Sequence, residues 1–281
     1  MTETSPTGDA TAAPPPHPYT ETALARLMLS HALRETAECA LHGMATGDDA
    51  SSTVGPGDYV REAARLARLA EDVQRWAAIY ERERGTSWEE IGEALNITRQ
   101  SAHTRFADHV KKWRAPLDKP EKILPDGTPD DERIPYGARY APGHPRPAYG
   151  TAEDTARDMD AWLRQHTGPA DHWDDQENPI SGGLPRYPTT AMLMLADRVS
   201  HRLLEEQMVP DPQAQADLCD RRVALYERLI LEGDAVPTDI RQWIAKDRAR
   251  AAALRATPGR GVTWDEMAGP EPVTAQTGDD Q

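Results

Sequence analysis

A run of prolines between residues 116 and 150 limits the fold of this chain more than any other feature of its sequence. This stretch holds eight of the 24 prolines in the chain. Proline lacks the backbone N–H that a helix interior or a central strand requires, so we expect neither element there. We predict a Pro-rich linker over residues 116–150, in which Tyr136, Tyr140 and Tyr149 either stay on a semi-rigid spacer or dock on another surface.

Helical patterns lie on both sides of this stretch, and no segment shows the alternation of a strand. The last region ends in three helical stretches with short connections near residues 210 and 233–237, which is typical of antiparallel neighbours in a small bundle. We therefore predict an all-α protein. Its expected parts are a disordered tail (1–19), an N-terminal helical domain (20–115), the Pro-rich linker (116–150), a C-terminal helical bundle (151–256) and a second disordered tail (257–281).

Charge and cysteine content restrict the partners and the compartment. The formal net charge is −15, which excludes a protein whose whole surface coats nucleic acid, although a local basic face remains compatible with binding. No apolar run approaches the roughly 20 residues of a membrane-spanning helix, so we expect no membrane contact. Cys39 and Cys219 each stand alone, which fits a reducing interior, and we predict a cytoplasmic protein.

A long amphipathic helix is predicted between Asp58 and Gly85. Its apolar residues recur at alternating steps of four and three and form one seam over barely three heptads. Such a seam fits either packing inside the domain or a short dimer contact, and the sequence does not choose between them. The seam consists of Tyr59, Ala63, Leu66, Ala70, Val73, Ala77 and Tyr80.

The next stretch, SWEEIGEALNITRQSAHTRF at residues 87–106, carries the signals of two helices and a tight turn. Ser87 and Glu90 form an S-x-x-E capping box at the first helix. Gly92 has no side chain and so permits a close approach of the second helix. Asn96 tolerates the left-handed conformation of a turn, and Thr98 is a suitable N-cap for the second helix.

The second helix is locally basic inside an acidic chain. Between residues 98 and 114 it has five basic residues and one acid, Asp108, and it presents Ala102, Phe106, Val110 and Trp113 on one apolar side. A basic helix of this kind is what a DNA contact requires. Its N-terminus also offers free backbone N–H groups to a phosphate.

The segment EEIGEALNITRQSAHTRFADHVKKWR resembles the helix-turn-helix of bacterial sigma-factor region 4. In that family the second helix enters the major groove and its first two turns read the promoter bases. The resemblance covers about thirty residues, near a tenth of the chain, and nothing before Asp58 has the basic, aromatic-rich helix of a sigma core. It therefore implies a DNA-binding protein with a sigma-like helix-turn-helix rather than a sigma factor.

By motif position, the resemblance assigns two groups of side chains to DNA. Arginine pairs bidentately with guanine and glutamine with adenine, so the first group suits base reading. The expected base contacts are Arg99, Gln100, His103 and Thr104. The expected contacts to the DNA backbone are Thr98, Arg105, Lys111, Lys112 and Arg114.

Other clusters are better explained as ordinary structure. His172, Asp174, Asp175 and Glu177 lie together in a predicted loop without a second cluster to complete a metal site, and we interpret them as solvated. The chain has no nucleophile elbow, phosphate loop or metalloprotease motif, so we expect no enzymatic activity, no catalytic residue, no metal and no cofactor. The basic last helix is interpreted as a solvated face, with a phosphate or acidic-partner contact as the alternative.

These observations favour sequence-specific binding of double-stranded DNA, with transcriptional regulation as the expected role. One helix-turn-helix rarely makes enough contacts for regulation, so we expect a homodimer, joined through the helix after Asp58 or through the C-terminal bundle. The alternative is a protein-interaction module in which the two helices are only a scaffold and the C-terminal helices bind a protein partner.

Overall fold

The computed structural model describes residues 16–44, 55–140, 150–168, 177–206, 211–233 and 236–256. The described chain is mostly helical, as the sequence predicted. The helices are α1 (Glu21–Met44), α2 (Asp58–Glu83), α3 (Trp88–Ala94), α4 (Arg99–Asp118), α5 (Ala152–His166), α6 (Thr189–Glu206), α7 (Pro212–Glu232) and α8 (Ile240–Ala256). Two-residue strands, β1 (Lys122–Ile123) and β2 (Pro129–Asp130), form an antiparallel hairpin after α4.

The main core forms where α1 packs along α2 and is covered by α4 and α5. Thr20 caps α1 by accepting the backbone N–H of Ala23 at 3.2 Å. The first half of α1 is almost fully buried, because it lies in the middle of this assembly. The core contains Leu24, Leu27, Met28, Ile79, Val110, Trp113, Leu117, Ile134, Ala138, Ala152, Ala156 and Met159.

Residues 116–140 of the predicted linker belong to this core, so our linker prediction is wrong for that part of the chain. Pro116 lies inside α4 near its C-terminal end and is almost fully buried. Ile134 is 1 % exposed and Ala138 is fully buried. The prolines stop regular helix, as expected, but the apolar residues between them pack as an irregular cover. Residues 141–149, including Tyr149, lie outside the described residues.

The buried carboxylate of Asp131 organises this cover. It accepts hydrogen bonds from the backbone N–H groups of Glu121, at 3.0 Å, and Arg133, at 2.9 Å, and also pairs with the Arg133 guanidinium. These donors hold the pKa of Asp131 well below its usual range, with the Arg133 side chain the largest cause. At the tip of the hairpin, Gly127 has a positive φ of 84° and lies against Leu195 of α6.

Two other predicted boundaries also differ from the structure. Residues 16–19 of the predicted N-terminal tail are packed: Tyr19 is 2 % exposed, and the Arg186 guanidinium stacks 4.1 Å from its ring centroid. Helix α5, which we predicted to belong to the C-terminal bundle, packs on α1. The boundary between the units therefore falls near residue 188 and not within residues 116–150.

Helices α6, α7 and α8 form the smaller C-terminal unit. Asp211 caps α7, and Gly233 ends it in the left-handed conformation. Arg222 of α7 pairs bidentately with Asp247 of α8, with both N–O distances at 2.8 Å. The apolar stripe of α6 is mainly core, since Met192, Leu195 and Val199 are buried. The predicted tails at residues 1–15 and 257–281, and His172, Asp174 and Asp175 of the predicted loop, lie outside the described residues.

Candidate nucleic-acid interface

Helix α3 begins with the capping box that the sequence predicted. The Ser87 hydroxyl accepts the backbone N–H of Glu90 at 3.2 Å, and the Glu90 carboxylate accepts the backbone N–H of Ser87 at 2.7 Å. This second hydrogen bond lowers the pKa of Glu90, which stays ionised at the positive end of the helix dipole. The entry to the two-helix unit is therefore fixed by local sequence.

The turn between α3 and α4 has no room for a side chain at Gly92. A Cβ built on Gly92 would lie 2.8 Å from the carbonyl oxygen of Ile97, and the backbone N–H of Ile97 donates to the Gly92 carbonyl at 2.9 Å. Asn96 adopts the left-handed conformation with a φ of 55°. Thr98 then caps α4 by accepting the backbone N–H of Ser101 at 3.1 Å. These three predicted local features and the capping box of α3 are confirmed.

The inner face of α4 anchors the unit to the rest of the protein. Ala102, Phe106, Val110 and Trp113 are all buried, as their spacing predicted. The ring of Trp113 meets Trp76 of α2 edge to face, with centroids 5.5 Å apart. Because this face is held by apolar packing, the opposite face of α4 has a fixed orientation towards solvent.

The structure brings the four predicted base-contact residues together on the first two turns of α4. Arg99, Gln100, His103 and Thr104 are all exposed, and the first three line a concavity of about 280 Å³. The His103 ring lies edge-on to Trp88, with centroids 5.4 Å apart. Within the described part of the chain, Arg99, Gln100 and Thr104 have no hydrogen bond or ion pair through their side chains.

The side chains predicted to contact the DNA backbone differ from the base-contact group, because most of them already have partners within the protein. Arg105 donates to Gln74 of α2 at 2.9 Å, and Arg114 pairs with Glu83 of α2 at 2.8 Å. Lys112 pairs with Asp108 one turn earlier at 2.7 Å, and the Thr98 hydroxyl is used in the cap. Lys111 is exposed and has no such partner among the described residues.

The sequence interpretation missed Gln74 and Glu83, which control two of the predicted contacts. Glu83 is largely buried, with 7 % of its side chain exposed, and it raises the pKa of Arg114 through their hydrogen bond. Both residues lie 31 positions before their partners. The sequence contains one signal of this pairing. An amide (Gln74) and a carboxylate (Glu83) each precede a basic residue of α4 by the same number of positions.

Positive and negative charge are separated within the α3–α4 unit. Glu89, Glu90 and Glu93 are exposed on α3, whereas the first two turns of α4 have Arg99 and Arg105 and no acid. A polyanion would be repelled by α3 and attracted by the start of α4. The geometry thus leaves one face of the unit suitable for phosphate and base contacts.

Comparisons with family models, with curated proteins and with solved structures find no match to this chain. The described helices include none that is both long and apolar enough to cross a membrane. In the same described ranges, no three His, Cys, Asp or Glu side chains are grouped in a way that would hold a metal ion.

Proposed function

We propose that this chain binds double-stranded DNA with sequence preference, using α3 and α4 as a helix-turn-helix and placing the start of α4 in the major groove. The observation that carries the proposal is the group formed by Arg99, Gln100 and Thr104. These side chains are exposed, lie on one rigidly held face, and have no partner in the described chain. A good bidentate pair of arginine with guanine, or glutamine with adenine, discriminates by roughly 1 to 3 kcal/mol.

The basic residues of α4 differ in how readily they could contact DNA, because some of them already have partners within the protein. Arg99 is free to reach a base edge, while Lys111 lies further along the same side of α4 and suits a phosphate. The Arg105 and Arg114 side chains must first leave Gln74 and Glu83. The resemblance to sigma-factor region 4 supports the same placement, and on that resemblance the proposal extends to a cytoplasmic protein that regulates transcription.

Selection of bound sequences from a random duplex pool tests this proposal. The purified chain is expected to enrich a motif, and Arg99→Ala and Gln100→Ala are each expected to relax one position of it while far-UV circular dichroism stays unchanged. Arg157→Ala is the control, because Arg157 is an exposed arginine of α5 that pairs with Asp154 of the same helix. Failure of the intact chain to enrich any sequence would contradict the proposal.

The exposure of α2 supports a proposed homodimer through this helix. In the predicted seam, Tyr59, Ala63 and Ala70 are exposed, whereas Val73, Ala77 and Tyr80 are partly buried inside the protein. The first half of the seam is thus more exposed than the second, although Leu66 within it is also partly buried. A second copy bound there would supply the second half-site reader. Sedimentation velocity should show a dimer that Ala63→Glu weakens. A monomer at working concentration would contradict this assignment.

A protein-interaction module is the second candidate function. It is favoured by Met194 of α6 and Trp243 of α8, which are 71 % and 41 % exposed although both are large and apolar. This candidate predicts that Arg99→Ala has no effect on partner capture, whereas Trp243→Ala reduces it. The duplex selection and a capture experiment with these two variants therefore separate the two functions.

A further inference from the structure

A cleft of about 880 Å³ lies between the two units, far from the start of α4. One wall is formed by the start of α1, the end of α4 and the β1–β2 hairpin, and the other by α6. Binding sites for small molecules commonly have volumes of roughly 300–1,000 Å³ and lie between structural units. The charges and the apolar residues of the two walls indicate what kind of molecule fits.

The first wall presents two carboxylates, Glu21 and Asp118. Glu21 is partly buried, and neither side chain has a hydrogen bond or ion pair in the described ranges. Burial raises the pKa of Glu21, and the nearby carboxylates of Glu83 and Asp118 raise it further, against Arg114 and Arg198. A partly buried carboxylate with like charges near it is costly unless a cation is also present. Arg114 and Arg198 lie near Glu21, but neither forms a hydrogen bond or ion pair with it among the described residues, so a ligand could supply a direct cationic partner.

The second wall presents cations. Arg198 of α6 is exposed, has no hydrogen bond or ion pair among the described residues, and lies close enough to Glu21 to lower its pKa. Arg202 follows one turn later on the same wall. Lys119, directly after the end of α4, adds a cation to the first wall. The uncharged part of the lining is mixed: it has the apolar residues Leu117, Ile123, Met194 and Leu195 and the polar residues Thr20, Thr22, Thr128 and Tyr187.

We infer that this cleft binds a small zwitterion with an apolar substituent. Its ammonium group pairs with Glu21, its carboxylate pairs with Arg198, and its apolar part lies on Ile123, Met194 and Leu195. A simple anion would place a second negative charge next to Glu21, and a simple cation would place a second positive charge next to Arg198. Free amino acids and short peptides share this chemistry, and both fit the available volume.

Calorimetric titration of the full chain, without DNA, tests the inference with defined probes. L-leucine represents a free amino acid and L-leucyl-L-leucine a short peptide. N-acetyl-L-leucine lacks the ammonium group, and L-leucine amide lacks the carboxylate. The N-acetylated and the amidated forms of the dipeptide serve in the same way. At least one zwitterion should bind saturably, and each of its blocked forms should bind about 10- to 100-fold more weakly, since each loses a charge-assisted hydrogen bond.

Two variants test which residue binds each charged end of the ligand. Glu21→Gln should remove the preference for the zwitterion over its N-acetyl form, and Arg198→Gln the preference over its amide. Arg157→Gln should change neither. Arg198 is exposed, so its variant tests the inference even if Glu21→Gln fails to fold. The inference is overturned if neither zwitterion binds, or if both blocked forms bind as well as the zwitterion. Because DNA is absent, this outcome is independent of the proposed DNA binding.

Discussion

Gly92 is the residue on which the geometry of the α3–α4 unit depends most directly. A mid-helix glycine costs roughly 1 kcal/mol relative to alanine, so its presence requires a reason. The reason here is the carbonyl of Ile97, which would lie 2.8 Å from a Cβ at this position, with the backbone of Thr98 and Arg99 also closer than normal contact. Backbone atoms cannot move aside as the end of a flexible side chain can.

We therefore expect Gly92→Ala to destabilise the protein by about 1 to 3 kcal/mol, because the overpacked turn outweighs the gain in helix propensity. Urea unfolding followed by circular dichroism measures the change. Gly43→Ala is the matched control: Gly43 also lies in a helix, but nothing lies within 4 Å of its Cβ position, so the same substitution should be neutral or slightly stabilising. Equal effects at the two positions would refute the argument for a close approach.

The buried carboxylate of Asp131 should make the stability of the protein depend on pH. Its pKa is lowered in the folded protein, so its contribution to the free energy of unfolding is full above the unfolded pKa of about 4 and is lost as the pH falls towards the folded value. Asp131→Asn should lower stability at pH 7 by about 1 to 3 kcal/mol through weaker hydrogen bonds. The gap between wild type and variant should narrow below about pH 4.

Urea midpoints of both proteins between pH 7 and pH 3 measure this gap. Asp158→Asn removes an exposed carboxylate of α5 and serves as the control for a general charge effect. A gap that is constant with pH would show that Asp131 is not the titrating group.

At the scale of elements, the pairing of α2 with α4 determines which cations of α4 would be available in the proposed complex with DNA. Glu83 neutralises Arg114, and Gln74 orients Arg105. We expect Glu83→Gln to release Arg114, to raise affinity for a random duplex, and to steepen the slope of log affinity against log salt by about 1. Fluorescence anisotropy at several salt concentrations measures both quantities.

Glu89→Gln is the matched control for this prediction, because it removes the same charge from an exposed position on α3 that does not contact Arg114. It should raise affinity slightly through the general field and leave the slope nearly unchanged. A slope change of the same size in both variants would mean that the field, and not the release of Arg114, controls binding.

The α3–α4 element was largely predictable from sequence, whereas its surroundings were not. The capping box, the Asn96 turn and the Thr98 cap depend on residues within a few positions of one another, so their patterns can be recognised directly. The pairings of α4 with α2 join residues 31 positions apart, and the cleft joins α1 to α6. Such contacts follow from tertiary packing, which periodicity does not specify.

At the scale of the whole molecule, the same limit explains the errors in the predicted boundaries. Proline content correctly excluded regular helix from most of residues 116–150, but it did not reveal that Leu117 and Ile134 fill a core begun by α1. Irregular backbone can be buried when its polar groups are satisfied, and here the Asp131 carboxylate satisfies two of them. Proline content thus predicts where regular helix is absent, but it does not predict which side chains of the segment are buried.

This packing predicts where the chain can be divided. A chain that ends at residue 115 lacks Leu117, Ile134, Met159 and Leu184, together with Ala138, Ala152 and Ala156, from the main core. Each of the four larger side chains contributes roughly 1.5 to 3 kcal/mol on burial, and their sum is comparable to the roughly 5 to 15 kcal/mol that typically stabilises a whole protein. We expect that chain to lack a cooperative unfolding transition.

A chain that ends at residue 188 retains every buried residue of the main core and loses only α6, α7 and α8. It should unfold cooperatively in urea and should keep the proposed DNA contacts of α4, because no residue of α3 or α4 needs the C-terminal unit for its orientation. It should lose the proposed zwitterion site, since Arg198 is absent. Cooperative unfolding of the shorter chain, or its absence from the longer one, would show that the two units are divided elsewhere.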